Sequence, residues 1–372
     1  MVRFFKQYVY PIATLAGSII GVGFLALPYI ATQVGVVVML AYFVAITTLV
    51  VALHVMFGKI CLKTPDFKRW PGFVEYYFGK TAKKCILVLT SFGQFGVLLA
   101  YLIVGGEFLK AVFSPIIGGE FFQYAILYFI ILSAIVYVGI RAVSKLEFLA
   151  IVALLALLAM VFVKAFPYIS ANNFSLLPPV GDSKYLFLPY GAIIFSLWGT
   201  GLIPEVEEMV RRRKGSLKKI IIAGTLIPAV IYVLFTFLVV GITGQATTPS
   251  ALIGVKDLLG NGLGLAMVCI GIITTFTAFI AGGLNLKKIL MYDAGLKHFP
   301  AWAITCFVPL ALLFFGFNSF IAIVSIVGGL LLGIDGILIL LMYRKIGGRA
   351  IVVYPMSLVF IGGIIYSIIY FF

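Results

Sequence analysis

The chain has 372 residues, of which 63% are hydrophobic and only 10% are charged, whereas soluble domains carry about 25% charged residues. This composition excludes a soluble protein, because too few polar residues are present to cover so much apolar surface. The net charge of +15 does not indicate nucleic-acid binding, because the basic residues stand in short loops between apolar runs.

Eleven apolar runs follow one another along the chain, and a membrane helix needs roughly 20 apolar residues. Apolar and polar residues do not alternate within the runs, so they predict helices rather than a β-barrel. We number them spans 1 to 11, near residues 8–30, 34–58, 84–113, 121–140, 146–168, 185–209, 219–243, 262–290, 299–315, 318–342 and 351–371.

The basic residues of the loops are unevenly divided between the two ends of these spans. One side carries 23 of the 27 lysines and arginines, and the other carries Lys110, Lys164, Lys184 and Lys256. The positive-inside rule places the richer side in the cytoplasm. We therefore predict a multi-pass integral membrane protein with a cytoplasmic N-terminus and an external C-terminus.

Spans 1 and 6 differ from the other spans because each contains a cluster of glycines followed by a proline. In span 1 the cluster is residues 17–23, closed by Pro28, and in span 6 it is residues 196–201, closed by Pro204. Glycine lowers helix stability and proline removes a backbone donor. An unwound segment is therefore predicted in the middle of each span, although glycines in membrane helices also serve close helix packing.

The two interrupted spans are five apart, which is an odd number, so a repeat of five helices must insert its second copy upside down. We therefore predict a single transporter domain with one repeat over about 8–168, a second over about 185–342 and an extra helix over about 351–371. Interrupted helices at matching places of two repeats indicate a transport site near the membrane midplane.

An unwound turn frees backbone N–H groups at one half-helix end and carbonyl groups at the other. The N–H end suits a carboxylate and the carbonyl end suits an ammonium group or a metal cation, so the pair suits a zwitterionic amino acid. We expect the amides of Val22 and Gly23 to bind the carboxylate. The other candidate substrate-binding residues are Ser18, Ile19, Gly21, Tyr101, Phe195, Ser196, Trp198 and Gly199.

Three sequence strings resemble signatures of the amino acid/auxin permease family, within the amino acid–polyamine–organocation superfamily. They are GVGFLALPYIATQVG in span 1, FSLWGTGLIPEVEEM in span 6 and, more weakly, AYLIVGGEFL in span 3. The resemblance implies an all-α, five-plus-five inverted-repeat fold with an eleventh helix, and amino acid transport with protons or sodium. Thr200 follows the span 6 glycine, where many members carry a polar or histidine residue, so the resemblance leaves the substrate open.

The coupling ion is also left open between sodium and a proton. Adjacent Thr274 and Thr275 in span 8 resemble the hydroxyl pair of the sodium site in sodium-coupled members of this fold. The carbonyls of Gly17, Ile20 and Gly271 would complete such a shell. Proton-coupled relatives often carry a lysine in span 5, and residues 146–163 contain none, which favours sodium.

Three carboxylates are candidates for gating or for carrying a proton: Glu107 in span 3, Glu205 after Pro204 and Asp335 in span 10. An ionisable residue in a membrane span indicates function, although an acid in the first turn of a helix is also an ordinary N-terminal feature. Glu207 and Glu208 are expected to face the basic residues 211–213.

Other classes of function fit the sequence less well. Cys61, Cys85, Cys269 and Cys306 show no CxxC spacing, and His54 and His298 are far apart, so no metal centre or cofactor is predicted apart from sodium. An enzyme should cluster its bases at one depth, and these residues are scattered. A channel or an amino-acid-sensing receptor on the same fold is the alternative, but we see no repeated filter motif and expect no signalling tail. The predicted partners are therefore a neutral amino acid, a coupling cation and the lipid bilayer.

Overall fold

The computed structural model describes residues 5–139, 143–177, 185–210 and 215–371, and within these ranges the chain is all-helical. The α-helices are α1 (Tyr10–Ile19), α2 (Leu27–Val34), α3 (Val36–Lys63), α4 (Trp70–Phe78), α5 (Lys80–Ile117), α6 (Phe121–Val138), α7 (Val143–Ala165), α8 (Leu188–Leu197), α9 (Ile203–Val210), α10 (Leu217–Thr243), α11 (Leu252–Tyr292), α12 (His298–Phe314), α13 (Phe320–Ile326), α14 (Leu332–Lys345) and α15 (Ala350–Phe371). Short 3₁₀ or π turns join several of them, including Gly23–Ala26, Thr200–Leu202 and Val327–Leu331.

Every predicted span is helical where the structure describes it, so the prediction of an all-α membrane protein is confirmed. In the described part of the chain, seven helical segments are long and apolar enough to cross a membrane, and the bent pair of span 1 makes an eighth. Spans 5 and 9 form shorter apolar helices, and span 6 is divided between α8 and α9. The total of eleven crossings remains a prediction.

Two helices begin at least four residues before their predicted starts. Span 3 begins at Lys80 rather than near residue 84, because lysines are good helix formers and the hydrophobic pattern alone does not register them. The helix of span 8 begins at Leu252, ten residues before the predicted start. It bends sharply between Lys256 and Gly264. These residues would be far apart in a straight helix, yet a Cβ on Gly264 would lie only 2.5 Å from the Cα of Lys256. The straight apolar segment starts only at Gly264.

Helix α4 was not predicted, because it is short and lies in a charged loop between spans 2 and 3. Pro71 stands in its first turn, where the missing N–H costs nothing, and Gly79 ends it with a φ of 89°. Phe73 and Val74 are buried, so this helix packs against the membrane helices.

The helices pack in two groups that cut across the chain order. Spans 1, 2, 6 and 7 contact one another through α1, α2, α3, α8 and α10, and spans 3, 4, 8 and 9 do so through α5, α6, α11 and α12. Each group unites equivalent members of the two predicted repeats. This arrangement places the breaks of spans 1 and 6 side by side.

Candidate functional site

The predicted break in span 1 is present. Helix α1 ends at Ile19, and Ile20 leaves the helical region with φ −74° and ψ 86°. The chain resumes as a 3₁₀ turn over Gly23–Ala26 and then as α2, and the two halves are bent by 50°. The free end of α1 is capped from another helix, because the Tyr232 hydroxyl in α10 donates a 2.8 Å hydrogen bond to the Ile19 carbonyl.

The predicted break in span 6 is present as well. Helix α8 ends at Leu197, and Trp198 is extended, with φ −73° and ψ 117°. After Gly199 a 3₁₀ turn leads into α9, which carries Pro204 in its first turn. Both glycine clusters therefore mark unwound segments rather than close packing alone.

The two breaks touch each other, so the residues proposed from separate spans form one site. A Cβ on Gly23 would lie 2.6 Å from the Phe195 ring and 2.8 Å from the Ser196 hydroxyl. A Cβ on Gly199 would lie 2.6 Å from Ile19 on the opposite break. Only glycine fits at either position, because such distances are too short for any real carbon contact.

Tyr101 joins this site from α5, as the sequence suggested. Its hydroxyl would lie 3.0 Å from a Cβ on Gly21, inside the span 1 break. The Ser18 and Ser196 hydroxyls instead bond back to their own helices, at the Leu15 and Ala192 carbonyls. The hydroxyl protons of these two serines are therefore used within their own helices, and their part in substrate binding stays a prediction.

The candidate sodium residues are only partly brought together. A cavity beside the span 1 break is lined by Gly21, Val22, Gly271 and Thr274 together with apolar side chains. The volume that the centre of a water-sized sphere can occupy in this cavity is about 10 Å³. This is roughly enough for one water molecule. Span 1 contributes Gly21 and Val22 to the lining, and the predicted ligands Gly17 and Ile20 are not among the lining residues.

Thr275 faces a different neighbour from Thr274. Its hydroxyl is fully buried and lies 2.7 Å from the Tyr128 hydroxyl of α6. The Gly271 carbonyl accepts hydrogen bonds from both threonines, at 3.0 and 2.9 Å. Thr274 alone of the pair therefore reaches the cavity beside span 1. Within the described residues no group of three or more His, Cys, Asp or Glu side chains could hold a metal ion.

The three candidate carboxylates have different surroundings and form no cluster within the described residues. Glu107 bonds to the buried Ser250, which precedes α11. Asp335 accepts a 3.0 Å hydrogen bond from the indole N–H of Trp70. One buried oxygen of Glu205 has no hydrogen-bond partner within the described residues. The basic residues 211–213, expected to face Glu207 and Glu208, lie outside the described part of the chain.

Helix α4 connects the ends of several spans on the side that carries most of the lysines and arginines, which we call the basic face. The Lys345 ammonium donates to the Tyr77 carbonyl at 2.5 Å, and Lys83 pairs with Glu75 at 2.7 Å. Lys83 also lies 3.7 Å from Asp293 at the end of α11. The hydrogen bond from Lys83 holds the pKa of the Glu75 carboxyl below its usual value.

Sequence reasoning missed the contribution of span 2. His54 is fully buried, and its ring bonds to Thr225 and to the backbone N–H of Gly199 in the span 6 break. The sequence assigned it no role, because it was considered only as a metal ligand. The available signal was a lone imidazole in the middle of an apolar span.

Comparison with known proteins gives sequence matches to amino acid permeases and transporters. Residues 6–261 match the tryptophan/tyrosine permease family. The chain is 22% identical over 288 residues to the tyrosine-specific transport system 1 of Haemophilus influenzae, covering 74% of this chain and 71% of that protein. It is 23% identical over 234 residues to glutamine transporter 2 of Aliivibrio fischeri, covering 61% of this chain and 59% of that protein. The match therefore spans about three fifths of the second relative's length.

Solved structures with the same fold include two transporters. MhsT in complex with L-phenylalanine superposes with a TM-score of 0.66, covering 97% of both chains at 15% identity. A nucleobase-cation-symport-1 family transporter in a closed conformation, with bromovinylhydantoin bound, gives a TM-score of 0.67 over 96% of this chain and 90% of that chain, at 13% identity. A manganese transporter of Eremococcus coleocola gives 0.62 over 99% and 95%, also at 13% identity. At these identities the likeness establishes the fold alone.

Proposed function

Because this chain belongs to the tryptophan/tyrosine permease family and is a secondary transporter of amino acids rather than an enzyme, we propose that its substrate is a neutral aromatic amino acid. L-Tyrosine is the first candidate, since a similar protein of Haemophilus influenzae is named as tyrosine-specific. The contact between the two breaks carries the proposal, because it brings two sets of free helix ends together.

The geometry of the breaks supports one binding mode for the substrate. The N–H groups of Val22 and Gly23, where the chain resumes as a 3₁₀ turn and α2, receive the carboxylate. The carbonyls at the ends of α1 and α8 receive the ammonium group. The rings of Phe195 and Trp198 border the junction and contact the aromatic side chain of the substrate. None of the side chains that meet at the junction, those of Ile19, Phe195, Ser196 and Tyr101, is a carboxylate, which favours an uncharged substrate side chain.

Coupling to a sodium ion is part of the proposal. The cavity beside the span 1 break is small enough for one ion, and Gly21, Val22 and Thr274 are among its lining residues, so a hydroxyl and backbone carbonyls are the candidate oxygen ligands. Sodium is a hard cation and prefers such oxygen ligands. A proton carried by Glu107, Glu205 or Asp335 is the alternative coupling ion.

We further propose that the protein works by alternating access within a lipid bilayer, with a cytoplasmic N-terminus and an external C-terminus. This proposal includes the two five-helix inverted repeats, and it draws on the resemblance of the sequence to the amino acid/auxin permease family. The Glu107–Ser250 contact is then a candidate outer gate and the Trp70–Asp335 bond a candidate inner gate. The excess of basic residues on the side that carries α4 supports the assignment of that side to the cytoplasm.

Uptake into proteoliposomes tests the function. We would measure labelled L-tyrosine, L-tryptophan, L-phenylalanine, L-glutamine and L-lysine under an inward sodium gradient, under a proton gradient and with choline in place of sodium. Uptake of L-tyrosine above its equilibrium level is expected with sodium, and it would exclude a channel or a receptor.

The pattern of uptake separates the remaining possibilities. L-Glutamine uptake without aromatic uptake would favour the second candidate, to which the similar Aliivibrio fischeri transporter points. Equal uptake in choline would assign coupling to a proton instead of sodium. Preferred uptake of L-lysine would refute the proposal of a neutral substrate.

A further inference from the structure

The strongest unassigned feature is the buried imidazole of His54, which lies in α3 opposite the span 6 break. Its Nδ1 lies 3.0 Å from the Thr225 hydroxyl of α10, and its Nε2 accepts a 3.2 Å hydrogen bond from the Gly199 N–H. The Trp198 ring meets the imidazole edge-on, with 6.1 Å between ring centroids. One side chain thus joins span 2, span 7 and the unwound turn of span 6.

Thr225 determines which ring nitrogen carries the proton. Its hydroxyl lies 2.9 Å from the Ile221 carbonyl, which can only accept, so Thr225 must donate there. The Thr225 oxygen then accepts from His54 Nδ1–H. The opposite nitrogen of that neutral tautomer is an acceptor, which is what the Gly199 N–H requires. Both nitrogens are therefore engaged by one neutral form of the ring.

This bond replaces the hydrogen bond that an unbroken helix would supply. In a regular helix the Gly199 N–H would bond to the Phe195 carbonyl, four residues earlier. Here the Trp198 N–H approaches that carbonyl instead, at 3.5 Å. A buried N–H without an acceptor is costly, so His54 stabilises the unwound conformation at Gly199.

We propose that His54 is a positioning residue of the amino acid site. Its neutral imidazole holds the span 6 turn unwound and orients Trp198, while the backbone of the turn binds the substrate. The inference rests on the proposed function, because it assumes that the amino acid binds at this turn. His54 itself does not contact the substrate in this arrangement.

Two amide replacements separate positioning from simple packing. The Gln side chain reaches the position of Nε2 and can accept from the Gly199 N–H, whereas the Asn amide reaches only the position of Nδ1. Binding of labelled L-tyrosine to the purified full-length protein should weaken about tenfold in His54→Asn and His54→Phe. In His54→Gln it should stay within roughly threefold of the original affinity, and affinities are compared among variants that melt above the assay temperature.

Thr225 supplies a second pair of variants in case the His54 variants fail to fold. Thr225→Val removes the hydroxyl that accepts from His54 Nδ1–H. The tautomer whose Nε2 accepts from the Gly199 N–H is then no longer favoured, so the affinity for L-tyrosine should fall. Thr225→Ser keeps the hydroxyl and should bind as the original protein does. Equal affinities in the folded Asn and Gln variants, or in Thr225→Val and the original protein, would overturn the inference.

Fluorescence of Trp198 follows the turn without any substrate. A matched Trp198→Phe control of each variant supplies the emission of Trp70 and Trp302, and subtracting it leaves the emission of Trp198. Its emission should change in His54→Asn but not in His54→Gln, and identical spectra for the two would overturn the inference. An original protein that binds no amino acid but passes this fluorescence test would refute the proposed function and leave the role of His54 in the turn intact.

Discussion

At the scale of single residues, Gly23 and Gly199 show why glycine is needed where the two breaks face each other. If the space beside each glycine were left to the substrate, Gly23→Leu or Gly199→Leu would abolish binding by filling it. In the structure the space beside each glycine belongs first to the facing break, at Phe195 and at Ile19. Binding should still be lost in both variants, but because the two breaks are forced apart.

A double-mutant cycle tests this explanation. Gly23→Ala should lower stability by about 1–3 kcal/mol through overpacking, and Gly23→Ala combined with Phe195→Ala should recover part of that loss. The matched control is Gly201→Ala, where a Cβ meets nothing within 4 Å. Thermal unfolding of the purified protein measures all four variants. Additive effects of the Gly23 and Phe195 changes would contradict the proposed contact.

Thr274 and Thr275 are chemically identical neighbours with different expected roles. Thr274→Val keeps the shape of the side chain and removes the hydroxyl that lines the cavity, so it should weaken the sodium dependence of L-tyrosine binding. Thr275→Val leaves the buried Tyr128 hydroxyl without its 2.7 Å partner and should cost about 1–3 kcal/mol of stability. Binding is measured against sodium concentration at constant pH and ionic strength. Unchanged sodium dependence in folded Thr274→Val would exclude its hydroxyl as a ligand.

At the scale of elements, α4 links span ends rather than forming a loop, because it contacts α14 and the start of α5, and Lys83 of α5 in turn pairs with Asp293 after α11. Trp70→Phe keeps a ring against Phe57 and removes the N–H that bonds Asp335. We expect this variant to open the basic face, whereas Asp335→Asn keeps an acceptor oxygen and should remain closed.

Labelling of the buried Cys61 reports this opening. With the other three cysteines changed to serine, a thiol reagent added from the cytoplasmic side should label Cys61 faster in Trp70→Phe than in the protein with Trp70. Equal labelling rates would show that the Trp70–Asp335 bond does not hold the inner face closed.

The ion pair between α4 and α5 predicts a weak pH dependence of stability. Hydrogen bonding from Lys83 lowers the pKa of Glu75 in the folded protein, so the pair stabilises the fold above the ordinary glutamate value of about 4.3. That contribution is lost as the pH falls through the lower pKa of the folded state. The effect is small because the pair is exposed. Melting temperatures of the original protein and of Glu75→Gln should converge toward pH 3.5, and a constant difference would contradict this.

At the scale of the whole molecule, the orientation in the membrane follows from loop charge and can be tested with exposed positions. Asn172, between spans 5 and 6, should lie outside, and Lys297, between spans 8 and 9, should lie inside. Single cysteines at these two positions, in a protein without its native cysteines, should react with an impermeant reagent from opposite sides. Reaction of both from the same side would refute the predicted number of spans between them.

The sequence by itself determined the class of fold and the location of the two breaks. Membrane helices have a strong signal, since the whole span must be apolar, and glycine with proline marks the points where a helix cannot continue. The matched positions of the clusters at Gly17–Gly23 and Ser196–Gly201 were enough to predict a shared site. These properties are local, so they can be read without knowing which helices touch.

Only the tertiary structure decided which side chains serve the breaks. His54 and Tyr232 cap free backbone groups from spans 2 and 7, far away in sequence, and no local pattern predicts such partners. The same holds for the different surroundings of Thr274 and Thr275, because the rotation of a helix against its neighbours sets which face meets the cavity. Helix α4 was missed for a related reason: its contacts with distant span ends stabilise it, whereas its own sequence is short and lies within a charged loop.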